Sequence, residues 1–385
     1  MIHVQTGAER ALSSPEGSLL GARIGLVANP SSIDGAFGSI VTRMAQHPQL
    51  DLVALYGPEH GVRGEAQAGE KVAGGVDTAT GLPTFSMYGE TQVPSPEMLE
   101  PIDVLVIDLQ DIGVRYTTYL STVANVMDAC AAIGVGVKIL DRPNPFPGQL
   151  VSGNLLEPRF TSFVGCHTMP ILHGLTIGEF GRLYARDKGL PTPDVTPMEG
   201  WSRELWYDQC GLPWVLPSPN LPTLDSVTAY PATCLIEGTV LSEGRGTTRP
   251  FEFVGAPFVD PERLAAEMNS HSFPGVAFRP VWFQPSFSKH AGTVCGGVQV
   301  HVTDRETLDS VPVGVHLLAT LRTLYPDDFA WLQPTGDRYF IDLLAGTDRL
   351  RKTIDTGGSV EDLLADWNQD ANAFRDSRSD ILLYD

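Results

Sequence analysis

Four near-continuous apolar runs mark the first 140 residues: RIGLVA at 23–28, LVALY at 52–56, VLVI at 104–107 and VGVKIL at 135–140. Runs of this kind, with little polar alternation, are expected of parallel strands covered on both faces. Between and after them the apolar spacing lengthens to that of helices. Val123, Val126, Met127 and Cys130 stand at i, i+3, i+4 and i+7, which predicts a helix over 121–133. Thr176 followed by Glu179 is a capping box, and Phe180, Leu183 and Tyr184 give the ensuing helix one apolar face. Alternating strand and helix predicts an α/β fold built on a doubly wound parallel sheet.

After residue 248 the pattern changes. Asp260-Pro261 reads as an N-cap and a first-turn proline, starting a helix that runs through 268. Strands are predicted over 276–287 and 294–302, the second with Val298, Val300 and Val302 on one face, and helices over 313–324 and 359–367. The expected organisation is one α/β domain over 1–250 and a smaller α+β domain over 251–385.

Polar clusters follow all four apolar runs on their carboxyl side: Asn29-Pro30-Ser31-Ser32, GPEHGVRG from Gly57, DLQDIGVRY from Asp108 and DRPNP from Asp141. In an open parallel sheet these ends share one edge, where such folds bind ligands, so the clusters are expected to converge on one cleft. Glu59 lies between Pro58 and His60-Gly61. A carboxylic acid in a dry cleft keeps its proton at neutral pH and can protonate a leaving oxygen; the competing role is to accept backbone N–H groups and shape the loop. Asp108 and Asp111 bracket Gln110. Paired carboxylates are what glycoside hydrolysis requires, one to protonate the glycosidic oxygen and one to attack, activate water or orient a neighbouring group. Satisfying turn amides is the alternative for either. Among the basic residues of the motifs, Arg63, Arg115, Arg142 and Arg245, one is expected to offer a bidentate fork to an acidic substrate group and most to be structural. Two later segments, LPSPNLPT at 216–223 with Asn220 and IEGTVLSEGRGTTRPFE at 236–252 with Glu237, Glu243, Arg245 and Thr247, set acids, Arg and hydroxyls among Pro and Gly, a composition suited to a polyhydroxylated ligand. Asn29, His60, Gln110, Tyr116 and Asn144 complete the candidate substrate-binding set.

Composition narrows the chemistry further. The 385 residues carry 26 Lys+Arg against 46 Asp+Glu, a net charge of −20 with no basic cluster to reverse it locally, so neither nucleic acid nor an anionic membrane is an expected partner. A small-molecule substrate is, and a homo-oligomer is possible. Five widely spaced cysteines read as reduced, buried thiols. Walker A, a dinucleotide fingerprint after the first strand, GxSxG, HExxH and short-spaced Cys/His sets are all missing, so no cofactor and no metal are expected. The N-terminus shows no basic segment leading into an apolar one, which predicts a cytoplasmic protein.

Taken in order, GPEHGVRGEAQAGEKV at 57–72, DLQDIGVRYTTY at 108–119, DRPNP at 141–145, LPSPNLPT at 216–223 and EGTVLSEGRGTTRPFE at 237–252 resemble the exo-β-N-acetylmuramidases of glycoside hydrolase family 171, the NamZ type. The resemblance implies a Rossmann-like domain with an auxiliary domain, an active-site cleft between them, and metal-free release of terminal N-acetylmuramic acid from the non-reducing end of peptidoglycan fragments. Carried over by motif, Glu59 is the catalytic acid. A motif Arg would meet the lactyl carboxylate, and Asp108 or Asp111 would orient the 2-acetamido group should it act as nucleophile. Two positions depart from the family pattern: Thr117, where an aromatic is expected, and Val240, where Asn is.

Overall fold

The computed structural model describes residues 3–64, 74–89 and 91–385. Part of the first motif, residues 65–72, lies outside the described residues. Strands β1 (Arg23–Ala28), β2 (Asp51–Gly57), β3 (Gly75–Val76), β4 (Pro83–Ser86), β5 (Val104–Asp108), β6 (Gly136–Leu140) and β7 (Asp194–Thr196) form one sheet in the order β3-β4-β2-β1-β5-β6-β7. Every neighbouring pair is parallel except β3 with β4. The chain starts in the middle at β1, moves outward through β2 and β4, then crosses back to β5 and continues to β7, which is the doubly wound course expected from the sequence.

The apolar runs explain this layering through the two-residue period of a strand. Val27, Leu105 and Ile107 point to one face, where they meet the helices Thr118–Ile133 and Ile177–Lys188. Leu26, Val104 and Val106 point to the other and meet the helices Gly7–Ser13 and Ile40–Ala45. The predicted capping box is present: the Thr176 hydroxyl accepts from the Glu179 N–H, and the Glu179 carboxylate accepts from the Thr176 N–H.

The second half builds an antiparallel sheet of β8 (Phe253–Ala256), β9 (Val276–Phe283) and β10 (Cys295–Val302), with β10 in the centre. Helices Leu224–Thr233, Pro261–Ser270 and Ser310–Leu324 pack with it, and Asp260 caps the second of these as its sequence predicts. This core continues without a break into Ile112, Val114 and Tyr116 of the loop after β5, so the two halves share buried surface beside the sheet edge. No described helix is long and apolar enough to cross a membrane. All five cysteines are free thiols.

Several boundaries differ from expectation. The strand expected to reach 287 stops at Phe283, because Gln284-Pro285 leads into a loop in which Ser288 and His290 take left-handed backbone angles of +67° and +58°. The last helix runs to Ser377 rather than 367. Beyond it the tail crosses back to the first sheet, where the Tyr384 hydroxyl donates to Asp141 at 2.6 Å and the Leu383 N–H to Glu179 at 2.9 Å.

The crevice between β1 and β5, where doubly wound folds commonly seat a ligand, is filled. Asp108, paired in register with Ala28, is fully buried and held bidentately by Arg142, Nε to Oδ1 at 2.6 Å and Nη2 to Oδ2 at 2.9 Å. Removing one member of such a buried pair strands the other charge, at a cost of about 3–5 kcal/mol. Arg142→Met is therefore expected to lose roughly that much stability in chemical denaturation. A loss below about 1 kcal/mol would show that the pair does not close the crevice.

Candidate active site

The main cavity, about 950 Å³, opens over the carboxyl ends of β2 and β5 and is walled on its far side by the second half of the chain. Glu59 and His60 come from the loop after β2, Tyr116 from the loop after β5 and Asn220 from the 216–223 segment; Glu237, Glu243 and Arg245 come from the glycine-rich segment, so seven of the sequence-predicted residues meet in one space.

Glu59 is fixed from two sides. The hydroxyl of Thr118, first residue of the helix Thr118–Ile133, donates to its Oε2 at 2.6 Å, setting the carboxyl against a helix N-terminus where the backbone dipole favours negative charge. The Tyr88 hydroxyl forms a second hydrogen bond to the same carboxyl; burial, with Glu59 adding to it, pushes the Tyr88 phenol up to about 12, so Tyr88 remains a donor at neutral pH. The backbone bends sharply just after Glu59. His60 has a φ of +73° and Gly61 one of +79°, and for a residue with a Cβ that conformation costs on the order of 1–2 kcal/mol. Strain of this kind persists where surrounding contacts over-determine it, and it is common at catalytic loops.

The opposite wall is a chain of ion pairs. Arg245 donates Nη2 to Glu237 Oε1 at 2.9 Å and lies with Nε 3.2 Å from Glu243 Oε1; the other Glu243 oxygen takes Lys289 Nζ at 3.0 Å. Burial works against the Arg245 charge, but Glu237 and Glu243 outweigh it and its pKa is raised. Its guanidinium carbon lies 4.9 Å from the centre of the Phe251 ring, and Nη1 has no hydrogen-bond partner among the described residues. Lys289, which no motif announced, also donates to the carbonyls of Ile236, Glu237 and Leu241. Its loop is stitched to the glycine-rich segment, the Gly246 carbonyl accepting from both the N–H and the hydroxyl of Ser286 at 2.8 Å.

Aromatic rings make up much of the remaining lining. Tyr88 and Phe163 pair at 5.7 Å between centroids, and Tyr230 meets Phe251 edge-on at 4.6 Å. Tyr119 donates its hydroxyl to the Pro217 carbonyl, tying the 216–223 segment to the helix behind Glu59. These rings were visible in the sequence only as ordinary apolar residues; Tyr119 and Thr118 sat inside a quoted motif without being singled out.

The other predicted site residues do not line this cavity. Asp108 is held by Arg142, as described. Asp111 is buried behind Thr117, whose hydroxyl lies 2.6 Å from its Oδ1, and it also accepts from the Gly113 N–H; burial outweighs these bonds and lifts its carboxyl to about 6. Arg115 donates to four backbone carbonyls, Arg63 pairs with Asp77, and Gln110 bridges the carbonyls of Asp111 and Pro143. Asn29 caps the turn at Ser31, Asn144 donates to the Leu175 carbonyl, and Thr247 donates to the Gly244 carbonyl. Among the described residues, no group of three or more His, Cys, Asp or Glu side chains is arranged to hold a metal ion.

Comparison with known proteins places this architecture. Residues 24–225 match the family model described as the N-terminal part of the exo-β-N-acetylmuramidase NamZ, and residues 228–384 match its C-terminal part. The chain is 44% identical over 382 residues to the peptidoglycan β-N-acetylmuramidase NamZ of Bacillus subtilis (strain 168), covering 99% of this chain and 91% of that one. It superimposes with a TM-score of 0.92 on the crystal structure of a DUF1343 family protein from Bacteroides fragilis NCTC 9343, 36% identical with both chains fully covered. A second DUF1343 protein from the same organism superimposes with a TM-score of 0.77 at 30% identity, each chain being 99% covered. By sequence across both of its halves, this chain belongs to the NamZ family of exo-β-N-acetylmuramidases.

Proposed function

We propose that this protein is an exo-acting glycoside hydrolase that releases terminal N-acetylmuramic acid from the non-reducing end of peptidoglycan fragments, with Glu59 as general acid. The observation that carries the reading is the placement of Glu59. It is the carboxyl of the PEHG motif, held at the wall of a 950 Å³ cavity by Thr118 and bonded to Tyr88, opposite an Arg and a Lys. Near-full-length likeness to a peptidoglycan muramidase supplies the substrate class.

The chemistry follows from what is present. Glu59 gives its proton to the glycosidic oxygen as the bond from that oxygen to the anomeric carbon breaks, and the departing sugar leaves as a neutral alcohol. The aromatic rings offer apolar faces to the sugar. Of the four motif arginines, Arg245 alone lines the cavity, which supports it as the partner of the lactyl carboxylate that distinguishes N-acetylmuramic acid from N-acetylglucosamine.

Two measurements test this reading. With a defined MurNAc-GlcNAc disaccharide, Glu59→Gln is expected to lower the rate of N-acetylmuramic acid release by roughly a hundred- to ten-thousand-fold. An unchanged rate would remove Glu59 from the acid role, and saturable binding by the unaltered protein with no product would make the protein a binder. For Arg245→Gln, the ratio of kcat/KM for aryl β-N-acetylmuramides over aryl β-N-acetylglucosaminides is expected to fall at least about tenfold, the weight of one charge-assisted hydrogen bond. An unchanged ratio would assign the carboxylate to another group.

A further inference from the structure

Three acidic side chains line the cavity among the described residues: Glu59, Glu237 and Glu243. Glu243 is engaged at both oxygens, by Arg245 and by Lys289. Glu237 is not. Its Oε1 accepts from Arg245, and the Cys234 thiol lies 3.8 Å from the same oxygen, while no described hydrogen bond reaches Oε2. Asp108 and Asp111, which follow Glu59 in the motif order, are outside the lining, one locked to Arg142 and the other behind Thr117. A glycosidase that protonates its leaving group still needs a second group to complete the displacement at the anomeric carbon.

Resting on the reading of Glu59 as acid, we infer that Glu237 is a second catalytic residue, the base that accepts a proton from the attacking water. The balance is simple. Water adds its oxygen to the anomeric carbon and gives one proton to the Glu237 carboxylate, while Glu59 gives one to the departing oxygen; exchange with solvent then restores both carboxyls. Arg245, Glu243 and Lys289 act as positioning residues. Arg245 holds one Glu237 oxygen and leaves the other for water, Glu243 fixes the guanidinium, and Lys289 ties Glu243 to the carbonyls of Ile236, Glu237 and Leu241 on the segment that carries Glu237.

The groups facing Glu237 are Arg245, Glu243, Lys289, Cys234 and Tyr230. Burial raises its pKa; Arg245 opposes this, Glu243 adds to it and Lys289 opposes it, and the outcome is a raised value. A base acts only when ionised, so activity is expected to fall on acidification at a pH above the ordinary carboxylate range. A carboxylate lifted toward neutrality is also the stronger base.

The test uses the whole protein and two substrates, the MurNAc-GlcNAc disaccharide and 4-nitrophenyl β-N-acetylmuramide, whose leaving group needs little protonation. Glu237→Gln is expected to lower kcat by about a hundredfold or more on both, to leave KM within about threefold, and to abolish the acid limb of the pH profile. Glu59→Gln is expected to spare the nitrophenyl substrate. Glu237→Asp, which keeps the carboxyl but withdraws it, is expected to retain the acid limb with a smaller loss in kcat, and it decides the matter should the Gln variant not fold. A Glu237→Gln enzyme that loses only KM, keeps its acid limb, or spares the nitrophenyl substrate would overturn the inference. Turnover by the unaltered enzyme, measured alongside, tests the hydrolase reading separately.

Discussion

The two halves that enclose the cavity are joined through the Arg115 guanidinium, a positive charge buried at their junction and paired with no carboxylate among the described residues. Its Nη1 donates at 2.7 Å to the carbonyls of both Asn154 and Met169, and its Nη2 donates to those of Leu344 and Ala345, at 3.3 and 2.7 Å. The first two carbonyls belong to loops beside the first sheet; the last two end the helix Phe340–Ala345, whose Phe340 and Leu344 face the cavity. Burial lowers the Arg115 pKa to about 10, which leaves it protonated at neutral pH. A charge removed from water this completely is tolerable only while the carbonyl dipoles remain in place around it. The cation thereby sets the position of one half against the other, and the cavity is the space they enclose.

The carboxyl-terminal tail closes the same joint from another side. Arg378 donates to the carbonyls of Gly148, His173 and Gly174, and Tyr384 reaches Asp141 just after β6. Asp141 already accepts from the Thr176 hydroxyl and the Gly178 N–H, yet burial lifts its carboxyl to about 6. By linkage, a carboxyl raised on folding favours the folded state most below its unfolded value near 4, and that contribution is lost as the pH rises through about 6. The tail is thus bound through a network whose energy varies with acidity and whose members lie outside the lining that carries Glu59, Glu237 and Glu243.

How much of this was legible depended on whether a residue's role is local. β1 and β5 could be read almost to the residue because a strand buried on both faces must be apolar throughout, and the Thr176 and Asp260 caps because a cap is defined by its immediate neighbours. β3, β4 and β7 were not legible: they lie at or next to the sheet edges, are two to four residues long, and carry no apolar run. The same distinction divides the site. Asp108 and Glu237 are both acids in polar motifs, and in the sequence Asp108, at a strand end, looks the better placed. Which of them lines the cavity is decided by Arg142, from the next strand end, and by Arg245, from the second half. Lys289 has no motif at all; its role comes from a loop whose left-handed residues carry it back to Glu243.

The charge distribution also constrains how a substrate is held. A protein of net charge −20 repels anionic cell-wall fragments, but with a Debye length of about 8 Å at physiological salt that repulsion is screened at long range and does little to steer a substrate toward or away from the cavity before contact. Within the cavity, Arg245 and Lys289 are balanced by Glu237 and Glu243, so the far wall presents donors and acceptors at fixed positions with little net field. Binding must then come from short-range contacts: aromatic faces against the sugar, hydroxyls and carboxylates at its polar groups. An enzyme arranged in this way gains selectivity from shape and hydrogen bonding rather than from electrostatic capture, which suits a ligand whose one carboxylate is a small part of a largely neutral, polyhydroxylated surface.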